Sequence, residues 1–225
     1  MLRLGTAKVD ITPNVPLELA GFAARKNWGP AKEVASPLYA RVFYFDSDFA
    51  PGTMSDRSDS VVLISADVLN WGKPLVPELN ERLKRATGVG EVILHATHTH
   101  SGPIMNLGEH RMPDTVLAGY YAELERKLIQ AVRAAKADCE AVQGERGEIA
   151  CRIGMNRRRR AGDRIVIGPN PDGVTDPQLT VIRFRTAVGT VKGVLAHYAC
   201  HPVVTMNNAF SAEFPGAAMA RVEQA

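Results

Sequence analysis

The sequence predicts an α/β fold with mixed β-sheet flanked by helices and a functional site at strand C-terminal ends. Three observations carry that expectation. Short apolar or alternating stretches recur along the 225 residues, two longer segments place apolar residues at helical spacing, and one of those helices lies between two apolar strands. A strand, helix, strand order needs a crossover connection, which makes the two strands parallel neighbours in a right-handed unit.

Taken in order, Leu2 to Ile11 alternates apolar and polar residues as a strand does, and Thr12-Pro13-Asn14 turns the chain. Gly21 and Gly29-Pro30 mark a long loop from Ala20 to Ser36. Leu38 to Asp46, rich in aromatic and β-branched residues, is the next strand, and the polar Asp48 to Asp59 is expected to be an exposed hairpin connection. Ser60 to Ala66 is nearly all apolar, as for a strand buried on both faces, and it delivers Asp67 at its C-terminal end. Pro77 at the first helical position, with Leu79, Leu83 and Ala86 following at helical spacing, predicts a helix ending at Gly88. Val92-Ile93-Leu94 is then a buried strand, so Asp67 and the residues after Leu94 face one crevice.

Pro113 to Lys136 carries Val116, Leu117, Tyr120, Tyr121, Leu124, Leu128, Ile129 and Val132 on one helical face, the tyrosines being packing residues. Further strands are expected at Glu148 to Ile153, Arg164 to Ile167, Gln178 to Arg185 and Thr190 to Tyr198, with a hairpin turn at Val188-Gly189-Thr190. Pro215-Gly216 opens a last helix. No repeat, low-complexity segment or linker divides residues 1–225.

Composition sets the class. With 45% hydrophobic and 23% charged residues the chain can build one substantial core or two small ones, and a net charge of +3 does not by itself imply nucleic acid. No apolar segment reaches the roughly 18 residues that span a bilayer, and the N-terminus lacks the apolar core of a signal peptide. The expected location is therefore cytoplasmic as written, or secreted or periplasmic if an export signal was removed. Cys139, Cys151 and Cys200 are an odd number without short paired spacing, which favours reduced thiols; Cys200 is expected to be a small buried thiol.

Half of the six histidines, His95, His98 and His100, follow Leu94 directly, ahead of Ser101-Gly102-Pro103. If the strand continues, its two-residue period puts His98 and His100 on one face, about 6 to 7 Å apart at Cα, and His95 on the other. A lone strand histidine is usually structural, which is the expectation for His95. The pair is different. Neutral imidazole binds zinc and titrates near neutral pH, so His98 and His100 can supply one metal ligand and a neighbouring acid/base or second ligand for metal-assisted hydrolysis. His201 also follows an apolar strand, and Asn207, Asn208, Ser211 and Glu213 come after it.

Asp10-Ile11-Thr12-Pro13, Ser65-Ala66-Asp67, Ala96-Thr97-His98-Thr99-His100-Ser101-Gly102-Pro103, Asn156-Arg157, Asp176-Pro177, His201-Pro202 and Ser211-Ala212-Glu213-Phe214-Pro215-Gly216 occur in this order. Together they resemble the neutral/alkaline ceramidases over nearly the whole chain. That resemblance implies a zinc amidase acting on the N-acyl bond of ceramide or a related lipid amide. It implies Zn2+ held by His98 and His201, with His100 beside the metal to polarise or protonate the reacting group. Arg157 is implied to hydrogen-bond the substrate near the scissile amide. The family completes its zinc site with a glutamate and a tyrosine from further along the sequence, so residues 1–225 are expected to be an N-terminal portion of the catalytic domain. Where this chain has Glu213 the family favours aspartate.

Arg157-Arg158-Arg159-Arg160 is the one dense charge cluster. Guanidinium groups recognise phosphates, which defines an alternative: a non-catalytic or incomplete module binding anionic lipid or nucleic acid through this segment. Without interleaved aromatics no nucleic-acid partner is expected, and the run is expected to be a solvated loop between strands with Arg157 turned into the site. A lipid amide substrate, peripheral membrane contact and a homo-oligomer are the partners that remain open.

Overall fold

The computed structural model describes residues 1–47, 59–72, 75–106 and 114–225. Its elements in chain order are β1 Leu2–Asp10, β2 Glu33–Val34, β3 Tyr39–Ser47, β4 Val61–Ala66, α1 Leu75–Thr87, β5 Glu91–Ala96, α2 Asp114–Ala137, β6 Glu140–Ala150, β7 Asn156–Ala161, β8 Arg164–Asn170, β9 Gln178–Thr186, β10 Val191–Tyr198, β11 Ala209–Phe210 and α3 Glu213–Val222. The chain forms two compact units, one of Met1–Val142 with Pro202–Ala225 and one of Gln143–His201. No linker marks the division because the second unit is an insertion, entered within β6 and left at His201.

The first unit is the expected mixed sheet. Its strand order is β6, β1, β3, β4, β5. β1 pairs with β3 and β3 with β4 antiparallel, while β4 and β5 are parallel in the register Ala66↔Ala96, as the crossover through α1 requires. α2 packs on β1 and β3 with Leu117, Leu124, Leu128, Val132 and Ala135 buried. Buried Tyr120 donates to the Ile11 carbonyl at 2.8 Å, which leaves it a packing residue as expected. Burial of Leu128, Val132, Val42, Val62 and Ile64 at zero exposure places the core between this helix face and the sheet.

Several local expectations are corrected. β4 is not buried on both faces: Val62, Ile64 and Ala66 are buried, and Val61, Leu63 and Ser65 only half so. β5 is the edge strand of the sheet, which exposes Ile93 to 53% and leaves only Val92 of the apolar run buried. α1 starts at Leu75, two residues ahead of the expected Pro77; a proline is tolerated there because first-turn N–H groups have no intrahelical acceptor. It ends before Gly88 as expected. α3 likewise starts at Glu213, ahead of Pro215. The long loop contains a 3-10 turn, Ala23–Asn27, and β2, which pairs in parallel with β11. Apart from Asp59, the expected Asp48 to Asp59 connection lies outside the described residues, as does Pro113.

In the second unit β9 and β10 form the expected hairpin around Gly189. β6 begins at Glu140, eight residues before the expected strand, and stops short of Cys151 to Ile153. The arginine run is not a loop but β7, paired antiparallel with β8 through Arg158↔Ile167 and Arg160↔Ile165. The pairing partner, an apolar strand with polar neighbours, lies ahead in sequence and was not needed for the charge pattern to look like loop. All three cysteines are free, and Cys200 is half-buried rather than buried. Among the described residues no helix is long and apolar enough to cross a membrane.

Gly5 sets the distance between β1 and α2. A Cβ built there would stand 1.7 Å from the Ala135 carbonyl oxygen, a backbone atom that cannot swing aside. Gly5→Ala is therefore expected to destabilise the fold by about 3 kcal/mol or more, at or beyond the usual range for overpacking. Urea unfolding of variant and parent checks this; equal midpoints would show that the helix stands off the strand.

Candidate active site

The polar residues of the first unit gather where β4 and β5 end. Beyond Ala66 and Ala96 the two strands stay tied, because the Thr97 N–H donates to the Ala66 carbonyl at 2.9 Å and the His98 N–H to Val68 at 3.0 Å. Asp67 is fully buried in this junction. It accepts from the Tyr39 N–H at 2.9 Å and the Thr97 hydroxyl at 3.2 Å, with Arg41 at 3.5 Å. Burial pushes its carboxyl above the usual value, and these donors pull it partly back. Asp67 thus locks the two strand ends to β3.

β5 stops at Ala96, so the expected strand alternation does not place the histidine pair. His98 instead has φ +64°, in the left-handed region, and the chain turns at His100 and Ser101. This turn brings the rings together, with Nε2 of His100 3.4 Å from Nε2 of His98. His98 Nδ1 lies 2.8 Å from the Leu69 carbonyl, which can only accept, so Nδ1 carries the proton. The lone pair of His98 is consequently on Nε2, and the ring is oriented by the carbonyl bond in the way ligating histidines usually are. In the neutral pair that lone pair faces the Nε2 proton of His100, a contact that a metal on His98 would replace. His100 is nearly buried, edge-on to Phe22, and Gly21 (φ +99°) lies against it so closely that a Cβ would come within 2.4 Å of Nδ1. His95, as expected, is apart from this work: Ser65 Oγ meets its Nδ1 at 2.9 Å, and its carbonyl accepts from the Trp71 indole at 3.0 Å.

Beneath the pair runs a buried charged chain that nothing in the sequence around Arg25 announces. Arg25 and Glu213 are 6% and 7% exposed. The Arg25 guanidinium donates to the His100 carbonyl, to Ala20 and Asn207 carbonyls at 3.2 and 2.8 Å, and to Ser101 Oγ at 3.2 Å. Burial lowers its pKa, and the Glu213 charge raises it in part. The Ser101 hydroxyl passes the interaction on to Glu213 Oε1 at 3.0 Å.

In the second unit Arg157 Nη2 donates to Nδ1 of His201 at 3.0 Å. The neutral ring of His201 therefore has its lone pair on Nδ1. The Tyr198 hydroxyl, just before it, donates to the Cys151 carbonyl at 2.9 Å and accepts from the Gly154 N–H at 3.1 Å, which fastens the end of β10. Burial pushes the Cys200 thiol above its ordinary pKa, which argues against a nucleophilic role.

An imidazole pair with a fixed lone pair, held at the ends of parallel strands of a mixed sheet, defines the class of protein. The chain belongs to the family described as neutral/alkaline non-lysosomal ceramidase, N-terminal, whose model matches residues 2–225. Among solved structures it is similar to neutral ceramidase from Pseudomonas aeruginosa, at 20% identity and a TM-score of 0.72 over 94% of this chain and 34% of that one. A structure described as ceramidase complexed with C2 matches with the same identity and TM-score, over 94% of this chain and 33% of that one. The chain thus spans about a third of the length of these two structures. No curated protein matches it.

Asp67 supplies a pH test of the strand junction. Because its folded pKa lies above the unfolded value, its contribution to stability is fully present below the unfolded pKa and is lost as pH rises through the folded one. The stability of the parent relative to Asp67→Asn is therefore expected to increase as pH is lowered from 7 towards 4. Denaturant midpoints of both proteins at several pH values check this, and a difference that shrinks on acidification would contradict it.

Proposed function

We propose that the protein is a zinc-dependent amide hydrolase of ceramidase type, cleaving the N-acyl bond of ceramide or a related lipid amide. The observation that carries this reading is the His98 ring, whose Nδ1 donates to the Leu69 carbonyl, so that its lone pair lies on Nε2 on the side of His100, the orientation in which ligating histidines are usually held. Family membership over residues 2–225 supports it independently. His98 and His201 are the residues that would hold the zinc, and further ligands would be required, since catalytic zinc usually has three protein ligands. The zinc supplies Lewis acidity, polarising an amide carbonyl and acidifying water.

The chain's own residues do the rest. His100 carries a proton on Nε2 next to His98, placed to be given to the reacting group as the amide breaks. His201 can ligate through Nδ1 once Arg157 turns aside from it. The guanidinium so released is a planar cationic donor that suits the amide oxygen of the substrate.

Elemental analysis of the intact protein, beside His98→Ala and His201→Ala, tests the reading together with a ceramide hydrolysis assay. About one zinc per chain is expected in the parent, with metal and activity lost in both variants. Unchanged metal and activity in His98→Ala would refute the assignment.

A second reading concerns the lipid surface and rests on the β7–β8 ribbon. Its register puts Arg158, Arg160, Ile165 and Ile167 on one face, all exposed, with Ile167 at 88%. Cations beside protruding apolar side chains suit a bilayer bearing anionic headgroups. Sedimentation with anionic vesicles is expected to exceed that with neutral ones at low salt and to fall as salt is added; equal partitioning would remove this reading.

A further inference from the structure

We infer that Glu213, acting through Ser101 and with Arg25, is a positioning residue that presets the His98–His100 pair. The inference deepens the hydrolase reading above and rests on it for its catalytic meaning. Among the described residues only two that are not glycine have a positive φ, His98 at +64° and Glu213 at +53°. Such backbone is unfavourable for any residue with a side chain and persists where the surroundings over-determine it. Both strained residues belong to one hydrogen-bonded unit.

The Glu213 carboxylate accepts four hydrogen bonds. Ser101 Oγ and Thr205 Oγ1 reach Oε1 at 3.0 and 3.2 Å, and the Val204 and Thr205 N–H groups reach Oε2 at 2.9 and 3.3 Å. It therefore ties the loop after β5 to the segment that follows Pro202. A second strap runs alongside, from the Thr99 hydroxyl to the Ser211 carbonyl at 2.6 Å and from the Ser211 N–H to the Ser101 carbonyl at 3.0 Å. Arg25 closes the arrangement from the other side by holding the carbonyls of His100 and Asn207. With the backbone on both sides of the imidazole pair pinned, the rings have little freedom to part.

A carboxylate accepts from all four partners at once, which an amide of the same shape does not. In the parent all four partners donate; Glu213→Gln turns its NH2 either against two backbone N–H groups, which cannot accept, or against the two hydroxyls, forcing Ser101 Oγ to accept from it as well as from Arg25 and reversing the link. Ser101→Ala removes only the link between Arg25 and Glu213 and leaves Thr205, Val204 and the Ser211 strap in place.

The test uses the intact protein and compares Ser101→Ala, Glu213→Gln and the double variant with the parent. Readouts are the imidazole nitrogen resonances of His98 and His100 in metal-free protein, kcat and KM for ceramide hydrolysis, and Tm. Both single variants are expected to shift the resonances of both rings and to lower kcat by about tenfold or more, with KM changed by less than about twofold. The double variant is expected to be no worse than Glu213→Gln, because both changes cut one path. Losses that multiply, or a lower Tm with both rings unmoved, would overturn the inference. Should Glu213→Gln fail to fold, Ser101→Ala decides by the same readouts. If the parent proves to have neither zinc nor amidase activity, the hydrolase reading fails by itself, and the ring resonances still decide whether Glu213 positions the pair.

Discussion

Two charges taken out of water, Arg25 and Glu213, govern the site end of the first unit. Neither touches the other directly; Ser101 Oγ accepts from one and donates to the other, so a single hydroxyl joins them. Removing one member of such a buried pair costs about 3–5 kcal/mol, because the partner is left charged and unsolvated. The loop bearing His98 and His100 is thus tied through Ser101 to both buried charges. This constraint explains how a turn, rather than a strand, can keep two imidazoles at contact distance.

The sheet beneath supplies rigidity of a different kind. β4 and β5 are parallel neighbours whose ends stay hydrogen-bonded past Ala66 and Ala96, and Asp67 fastens that junction to Tyr39. α2 lies so close over β1 that only glycine fits at position 5. The helix and strands fix where β5 ends, and the charged network fixes how the chain leaves it. Positioning by strand ends and chemistry by the loops beyond them is the general division of labour in α/β proteins.

In the second unit Arg157 and His201 are hydrogen-bonded to each other, Nη2 to Nδ1, at 3.0 Å. The guanidinium donates to the ring nitrogen that holds the lone pair, so each side chain fixes the orientation of the other. β7 and β8, which carry the rest of the arginine run, present a basic and apolar face that this contact does not involve.

The sequence by itself determined the fold class, the two long helices and the parallel β4 and β5 pair, and it singled out His98 and His100 as a candidate pair, whereas His201 and Arg157 entered the proposal through the family resemblance. It could do so because hydrophobic period and helix punctuation are local, and because runs such as Thr-His-Thr-His-Ser-Gly-Pro are dense in chemistry. Only the tertiary structure decided that β5 stops before His98, that the arginine run pairs as β7, and that β4 is half-covered on one face. Each of these depends on what lies across the sheet, not on neighbours in sequence. The burial of Arg25 and Glu213 was illegible for the same reason: a buried charge is recognisable only by the groups that hydrogen-bond it, and here Ser101 reaches Glu213 across 112 residues and Asn207 reaches Arg25 across 182.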